Sequence, residues 1–248
     1  MATLTGKVAI VTGSSKGIGA GIVERLATDG ASVVVNYSRS QKEADALVDK
    51  ITHAGGKALA VQADISHPEQ ITALFSAAKE HFGQIDILVN NAGIYEFAGG
   101  IEGITPEHID RQFSVNVKGL ILATQAAVKH FGPEGGVIVN ISSGVALTPM
   151  VAAQVYSSTK GAVDVLTRGF ALELGSRKIR VVGIAPGLTS TEGTSGMEKE
   201  MLDYIISRTP LGRVGEPSDI AAAVAFAVSQ DGGWITGETI QVGGGLLF

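Results

Sequence analysis

Short apolar runs rich in β-branched residues alternate along this chain with longer segments whose apolar residues recur at helical spacing. The runs that predict buried strands are 7–11, 32–36, 58–62, 86–89, 136–141, 179–185 and 238–242. The segments that predict helices are 17–29, 41–54, 68–82, 106–131, one that carries Tyr156 and extends to about 175, and 217–228. Strands that alternate with helices throughout a chain form a parallel sheet covered on both faces. The sequence therefore predicts an α/β fold, doubly wound in three layers.

The 33 glycines lie mainly between these apolar segments, as tight connections between strands and helices require. Neither a linker, nor a repeat, nor a block of like charge divides the chain, so we expect residues 1–248 to form a single domain. Only residues 188–212 interrupt the alternation. They are polar and contain Met197 and Met201, and we expect a flap with a short helix there.

Composition excludes several classes of function. The net charge of −5 argues against a nucleic-acid binder, and the lack of cysteine rules out disulfides and thiolate chemistry. The five histidines show no metal-ligand spacing, so we expect no metal site. Residues 1–6 do not resemble a signal peptide, and no charge-free apolar run reaches the ~18 residues of a membrane span. These features predict a soluble, cytoplasmic protein that binds neither nucleic acid nor membrane.

A glycine-rich turn, Gly13-Ser14-Ser15-Lys16-Gly17-Ile18-Gly19, joins the first predicted strand to the first predicted helix. Glycines at such a turn let a pyrophosphate approach the helix N-terminus, whose free N–H groups favour an anion. The spacing is not the common Gly-x-Gly-x-x-Gly, so a purely structural turn is the alternative. The turn also matches the Gly-x-Ser-x-Gly of hydrolases. However, no strand precedes it to build an oxyanion hole, and no histidine follows His130.

The end of the second predicted strand indicates which dinucleotide would bind. An NAD site places a carboxylate there for the ribose 2′-hydroxyl, whereas an NADP site places a cation near the 2′-phosphate. The sequence here is Asn36-Tyr37-Ser38-Arg39, without Asp or Glu, and Lys16 can reach the same corner. These residues predict NADP(H) as the cofactor, unless Arg39 is only a solvated loop residue.

Tyr156 and Lys160 are four residues apart, which places them one turn apart on the same face of a helix. Free tyrosine and lysine side chains titrate near ~10 and ~10.4, too high for proton transfer at neutral pH. A nearby ammonium would stabilise the phenolate and lower the pKa of the tyrosine. The pair alone is equally typical of an ordinary helix surface, so its meaning depends on the rest of the chain.

The chain resembles the short-chain dehydrogenase/reductase family over essentially its whole length. The matching pieces stand in family order: Thr12-Gly13-x-x-x-Gly17-Ile18-Gly19, Asp64, Asn90-Asn91-Ala92-Gly93, Asn116, Ser142-Ser143, Tyr156-x-x-x-Lys160 and Pro186-Gly187 with Thr191. The resemblance implies a Rossmann-type fold with a seven-stranded parallel sheet and a site at the carboxyl ends of the strands. The chain departs from the family at Val182 and Gly243, which bears on local packing and subunit contacts.

The resemblance also implies a role for each matching residue. Tyr156 would be the general acid in reduction and the base in oxidation, and Lys160 would lower its pKa and bind the nicotinamide ribose. Ser143, chosen over Ser142 by family spacing, would hydrogen-bond the substrate carbonyl, and Asn116 would hold a relay water. Further cofactor contacts would come from Asp64 and Ile65 at the adenine, from Asn91, Ala92 and Gly93 at its ribose, and from Pro186, Gly187, Thr189 and Thr191 at the carboxamide.

These features predict an NADP(H)-dependent oxidoreductase that acts on a small carbonyl compound or alcohol, as a ketone or aldehyde reductase. The alternatives are a 3-oxoacyl-[acyl-carrier-protein] reductase and a non-catalytic dinucleotide-sensing or scaffold protein. An acidic carrier would need a basic rim, and residues 129–134 are only mildly basic. We expect Tyr95, Val145, Leu147, Met150 and flap residues near Met197 to line the substrate pocket. By analogy with the family, we expect a homotetramer.

Overall fold

Neighbouring strands of the sheet are parallel in every pair, in the order β3-β2-β1-β4-β5-β6-β7. The computed structural model describes residues 4–246, so the ends of the predicted domain, 1–3 and 247–248, lie outside the described residues. The strands are β1 (Val8–Val11), β2 (Ser32–Tyr37), β3 (Lys57–Gln62), β4 (Ile87–Asn90), β5 (Gly136–Ile141), β6 (Ile179–Pro186) and β7 (Thr239–Val242). The predicted fold class and the seven-stranded sheet are confirmed.

Helices cover both faces of this sheet. They are α1 (Gly17–Thr28), α2 (Gln41–His53), α3 (Pro68–Phe82), α4 (Pro106–Phe113), α5 (Leu120–His130), α6 (Gln154–Leu174), α7 (Lys199–Arg208) and α8 (Pro217–Val228), with short 3₁₀ turns at Ile101–Gly103, Gly144–Ala146 and Gly175–Arg177. Alternate residues of a strand point to opposite faces. In β1, Val11 packs with α1, α2 and α8, whereas Ile10 packs with α3, α5 and α6.

The predicted helix 106–131 is interrupted in the structure. Its middle, Ser114–Gly119, is a π-helical segment between α4 and α5. Segments of this kind are rare and are frequent at functional sites. This one carries Asn116, so the uniform helical pattern of the sequence concealed a local change at a predicted site residue.

The sheet has one point where the direction of its winding reverses. From β1 the chain moves outward to β2 and β3, then returns to place β4 on the other side of β1. A crevice opens beyond the carboxyl ends of β1 and β4, the usual ligand site of such sheets. The glycine turn follows β1 and Asn91 follows β4, so both lie at this crevice.

Residues 188–212 lie between β6 and α8 and contain α7. The polar sequence predicted a short helix in this segment, and α7 occupies Lys199–Arg208. Between residues 4 and 246, no helix is both long enough and apolar enough to cross a membrane.

Candidate active site

The turns after β1 and β4 touch at Gly13. This residue has φ +60°, and a Cβ added to it would lie 2.8 Å from the Ala92 Cα. A Cβ on Gly19, at the start of α1, would lie 2.7 Å from the Gly13 carbonyl oxygen. Only glycine allows both approaches, which explains why these two positions of the predicted turn are glycine.

A polar brace holds the same two turns together. The Asn91 side-chain amide donates to the carbonyl oxygens of Thr12 and Gly13, both at 2.9 Å. In return, the Thr12 hydroxyl accepts from the N–H groups of Asn91 and Ala92, both at 3.1 Å. The amide of Asn91, predicted to meet the cofactor ribose, is therefore used to fix the backbone of the glycine turn.

Ser14 and Tyr37, predicted as cofactor contacts, do not turn their side chains to the crevice. The Ser14 hydroxyl is fully buried, donates to the Val11 carbonyl at 2.7 Å and accepts from the Asn36 N–H at 3.1 Å. Tyr37 packs in the apolar core with α1, α2 and α8. The Ser14 hydroxyl therefore joins the glycine turn to β2, and the Tyr37 side chain belongs to the core at the end of β2.

Asn36 fastens β1, β2 and β3 to one another. Its side-chain oxygen accepts from the Gly13 N–H at 3.0 Å, and its amide donates to the carbonyl oxygens of Val61 and Ala63 at 3.2 and 3.0 Å. Asn36 is nearly fully buried. The asparagine therefore fixes the floor of the crevice.

The crevice is a cleft of 980 Å³. The predicted residues that line it are Gly13, Lys16, Gly17, Ile18, Gly19, Asn36, Ser38, Arg39, Asp64, Ile65, Asn91, Ala92, Gly93 and Thr191. Lining residues that the sequence did not reveal are Ala63, Ser66, Ile94, Glu107, Asp110, Arg111, Ser114, Val115, Glu192 and Gly193. Several of these belong to α4 and the π-helical segment, whose approach to the glycine turn depends on the sheet order and leaves no local signal.

The structure separates several other predicted cofactor contacts from this lining. Ser15 faces a neighbouring groove between α1, α2 and the loop after β6. Pro186 is buried at the end of β6. Thr189 is also buried, and its hydroxyl donates to the Gly187 carbonyl at 3.1 Å.

Cations lie at the end of the cleft beyond β2. Arg39 is exposed, and within residues 4–246 its guanidinium has no ion-pair or hydrogen-bond partner. The Lys16 Nζ lies 3.9 Å from the Glu43 carboxylate of α2.

Asp64 also lines the cleft. Burial tends to raise the pKa of the Asp64 carboxyl, but the hydrogen bonds from the N–H and hydroxyl of Ser66 together hold it below its usual value.

Tyr156 and Lys160 lie on α6, near the other end of the cleft. The buried Lys160 Nζ donates to the Ile141 carbonyl at 2.8 Å and lies 5.6 Å from the centre of the Tyr156 ring. Of the two serines after β5, Ser142 donates its hydroxyl to the Lys160 carbonyl at 3.4 Å. Ser143 instead accepts from the Val145 N–H at 3.4 Å and lies beside the Tyr156 phenol, whose pKa its side chain lowers. The structure thus brings Ser143, Tyr156 and Lys160 together.

The pKa values of this pair differ from the sequence expectation. Burial raises the pKa of Tyr156 to about 12, while the hydrogen bond from Ser143 acts in the opposite direction. Burial lowers the pKa of Lys160 to about 8, opposed by the Asp164 carboxylate. In this structure burial dominates the pKa of Tyr156, and the Lys160 ammonium donates to the Ile141 carbonyl and lies over the tyrosine ring.

Asn116 connects the cleft with this pair. Its side-chain amide donates to the Ile94 carbonyl at 2.9 Å and to the Thr159 hydroxyl at 3.1 Å, and its oxygen accepts from the Ile94 N–H at 2.8 Å. A Cβ on Gly93 would lie 3.4 Å from the Asn116 oxygen and 3.6 Å from the Lys160 Nζ. The loop after β4 therefore runs directly over both side chains.

Aromatic rings extend outward from Tyr156. The Tyr95 ring meets the Tyr156 ring edge to face at 4.8 Å, and Phe97 meets Tyr95 in the same way at 4.6 Å. Of the other predicted pocket residues, Leu147 is exposed, whereas Val145 is buried within the 3₁₀ turn that follows Ser143. Phe97 was missed, although an aromatic residue two positions after Tyr95 was a usable signal.

A buried polar network lies behind the site. Asn90 and Asn140 are paired across β4 and β5, and the Asn90 amide donates to the Asn140 oxygen at 2.9 Å. The same amide donates to Thr124 of α5 at 3.1 Å, and the Asn140 amide donates to Thr167 of α6 at 2.9 Å. The network ties the helix that carries Tyr156 to the centre of the sheet.

Comparisons with known proteins agree with this geometry. A family model described as enoyl-(acyl carrier protein) reductase matches residues 13–247. An uncharacterized oxidoreductase of Methylorubrum extorquens is 55% identical over 99% of this chain and 100% of its own length. Elsinochrome reductase 1 of Elsinoe fawcettii is 40% identical, over 97% of this chain and 94% of its own.

A solved structure shows the same similarity in three dimensions. The short-chain dehydrogenase of Burkholderia cenocepacia J2315, in complex with NADP, has 40% sequence identity and a TM-score of 0.91, with 98% of each chain covered. Matches of this extent, together with the parallel sheet and the grouping of Ser143, Tyr156 and Lys160, establish the family. The chain belongs to the short-chain dehydrogenases/reductases.

Proposed function

We propose that this protein is an NADPH-dependent reductase of ketone or aldehyde carbonyls, which can also run in reverse on the alcohol. The observation that carries the proposal is the contact between the Ser143 and Tyr156 hydroxyls, above a buried Lys160, at the end of a dinucleotide-sized cleft. Two hydroxyl donors side by side can stabilise the negative charge that develops on a carbonyl oxygen during reduction.

The cleft fits a dinucleotide. Gly13 and Gly19 leave the backbone of the turn open, and no side chain caps the N-terminus of α1 after Lys16. The first turn of α1 also contains no acidic residue, so its free N–H groups and dipole favour a pyrophosphate. Gly93 borders both the cleft and Lys160, which supports a cofactor that reaches from one to the other.

The phosphorylated dinucleotide suits the end of the cleft beyond β2. Arg39 lines this corner, and β2 ends without a carboxylate that would repel a 2′-phosphate. The relative from Burkholderia cenocepacia binds NADP, which supports the same assignment. A charge-assisted hydrogen bond contributes about 1.5–3 kcal/mol. Arg39→Ala should therefore lower the preference for NADPH over NADH by about 10- to 100-fold.

The residues of the chain provide the proton and the charge. NADPH, when bound, supplies the hydride. With a pKa of about 12 the Tyr156 phenol is protonated at neutral pH, so it can give its proton to the more basic alkoxide. The Ser143 side chain lies beside the phenol, and Lys160 places a buried positive charge next to the tyrosine ring. Asn116 holds the loop after β4, which runs over Lys160, through its two hydrogen bonds to Ile94.

The test is a turnover screen of ketones, aldehydes and a 3-oxoacyl thioester, each with NADPH and NADH. Tyr156→Phe should bind NADPH normally and lose about 100-fold or more in kcat, because the general acid is removed. Tyr204→Phe, at an exposed tyrosine of α7, is the matched control and should retain activity. Full activity in Tyr156→Phe would overturn the proposal.

The same screen separates the alternatives. A strong preference for the 3-oxoacyl thioester would favour a reductase of carrier-bound acyl groups. NADPH binding without turnover of any carbonyl would favour a dinucleotide sensor or scaffold. Lys79→Ala, which removes an exposed cation of α3 outside the cleft, is the control for Arg39→Ala and should leave the cofactor preference unchanged.

We also propose that residues 1–248 act as one domain and assemble into a homotetramer. Large apolar side chains are exposed at Ile109, Ile121, Val165 and Leu172 of α4, α5 and α6. Exposed apolar surface of this kind often marks an interface. Light scattering after size-exclusion chromatography tests this; a mass of one 25.5 kDa chain would contradict it.

A further inference from the structure

A row of three aromatic rings leads from the catalytic phenol toward solvent. Tyr156 is half-buried, the next ring, Tyr95, is 44% exposed, and the outermost, Phe97, is 60% exposed. Each ring meets its neighbour edge to face, with interplanar angles of 74° and 70°. Apolar residues scattered singly over a surface are normal, but a contiguous apolar patch marks an interaction site. These exposed rings form such a patch, and it begins at the catalytic phenol.

The backbone that carries the row is fastened on its other side. The Asn116 side chain bonds both the N–H and the carbonyl of Ile94. Two residues later, the Glu96 carbonyl accepts from Gln112 at 3.4 Å, and the Glu96 carboxylate pairs with Arg111 at 3.0 Å. Tyr95 lies between these two fastened residues, and Phe97 follows the second of them. The rings are therefore held in place before any substrate arrives.

Two apolar residues close in sequence to Ser143 and Tyr156 are also exposed. Leu147, which follows the turn of Ser143, is 63% exposed, and Val151, five residues before Tyr156, is 87% exposed. The Glu96 carboxylate forms an ion pair with the Arg111 guanidinium, so its charge is compensated. The row of rings that begins at the phenol is thus suited to an apolar ligand with flat faces.

We propose that Tyr95 and Phe97 form a subsite for an aromatic ring of the substrate, so that the preferred substrates are carbonyl compounds fused or joined to such a ring. This inference rests on the proposed reductase function. Aromatic pairs with ring centres 4.5–7 Å apart gain about 0.5–1.5 kcal/mol beyond the area they bury. A saturated ring of equal size buries the same area without that gain. The subsite should therefore favour an aromatic ring over a saturated ring of the same size.

The experiment compares two ketones with the same carbon skeleton, 2-tetralone and trans-2-decalone. Neither carbonyl is conjugated with the ring, so a change of the ratio of their kcat/KM values reports the aromatic contact. With NADPH, the wild-type protein should prefer 2-tetralone. Phe97→Leu and Tyr95→Leu should each lower the ratio by about 2- to 12-fold, the equivalent of the energy of one aromatic pair, because only 2-tetralone loses the aromatic gain.

Phe226→Leu is the matched control, since this α8 residue is 45% exposed and outside the row. It should leave both kcat/KM values unchanged. An equal loss for both ketones in Phe97→Leu would mean a merely structural role and overturn the inference, as would an unchanged ratio. Reduction of other carbonyls without either bicyclic ketone would also overturn it. If no carbonyl is reduced at all, the proposed reductase function itself fails.

Discussion

Replacing Gly13 by alanine tests whether contact between the turns after β1 and β4 builds the cofactor cleft. Gly13 has φ +60°, and the new Cβ would lie 2.8 Å from the Ala92 Cα and 2.9 Å from its Cβ. Gly55, after α2, is the matched control, because it has φ +85° and nothing lies within 4 Å of an added Cβ. The two substitutions share the backbone strain and differ in the contact.

The expected magnitudes follow from those two terms. An alanine held in the left-handed region costs roughly 1–2 kcal/mol, which applies to both variants. Overpacking against a neighbouring backbone adds typically about 1–3 kcal/mol, which applies only at Gly13. Gly55→Ala should therefore lower the free energy of unfolding by about 1–2 kcal/mol and Gly13→Ala by about 2–5 kcal/mol.

Cofactor binding should separate the variants further. Relief of the contact must move Ala92 away from the glycine turn, which breaks the 2.9 Å hydrogen bonds from Asn91 that shape it. Loss of about 1.4 kcal/mol in binding corresponds to tenfold in the dissociation constant, and we expect at least that for Gly13→Ala.

Urea unfolding followed by circular dichroism gives the stabilities, and the fluorescence of bound NADPH gives the affinities. Gly55→Ala should bind NADPH as the wild type does. Equal losses of stability in the two variants, with NADPH affinity unchanged in both, would refute the reasoning.

Three further perturbations test other parts of the site and fold. Asp164→Asn removes the carboxylate that raises the pKa of Lys160, so this pKa should fall below about 8 and the alkaline decline of the reduction rate should move toward neutral pH; an unchanged pH–rate profile would contradict this. Asn140→Ala removes the hydrogen bond that the Asn90 amide donates to it and the one that it donates to the Thr167 hydroxyl, and should cost about 2–4 kcal/mol in urea unfolding; a loss below about 0.5 kcal/mol, the usual range for a surface site, would exclude a structural role. The hydrogen bond from Arg213 lowers the pKa of Asp219 from 3.8 to about 2, so its stabilising effect should be present above pH 4, be lost as pH falls through 2, and be absent at all pH values in Asp219→Asn.

The fold could be predicted because its determinants are local. Ile10 and Val11 are adjacent β-branched residues buried on opposite faces of the sheet, as a strand covered by helices on both sides requires. The positions of glycine at the connections then determined where strands end. Predicted strands such as 136–141 coincide with the observed ones, and others differ by a residue or two at their ends.

What could not be predicted depends on partners far away in the sequence. The π-helical segment at Asn116 accompanies hydrogen bonds to Ile94, a residue 22 positions earlier that no helical pattern encodes. Ser14 and Tyr37 looked like cofactor contacts because they neighbour the right motifs, yet both point inward. The position of a residue in a motif predicts which part of the fold it lies in. The direction of its side chain depends on the packing around it.

The relation between Tyr156 and Lys160 illustrates the same limit. Their spacing correctly places them one turn apart, but it does not state which atom the ammonium meets. In the structure the ammonium donates to the Ile141 carbonyl, and burial, opposed by Ser143, keeps the phenol protonated. A protonated phenol can give its proton to an alkoxide, which is the stronger base. Burial therefore keeps Tyr156 in the protonated form that the reduction of a carbonyl uses.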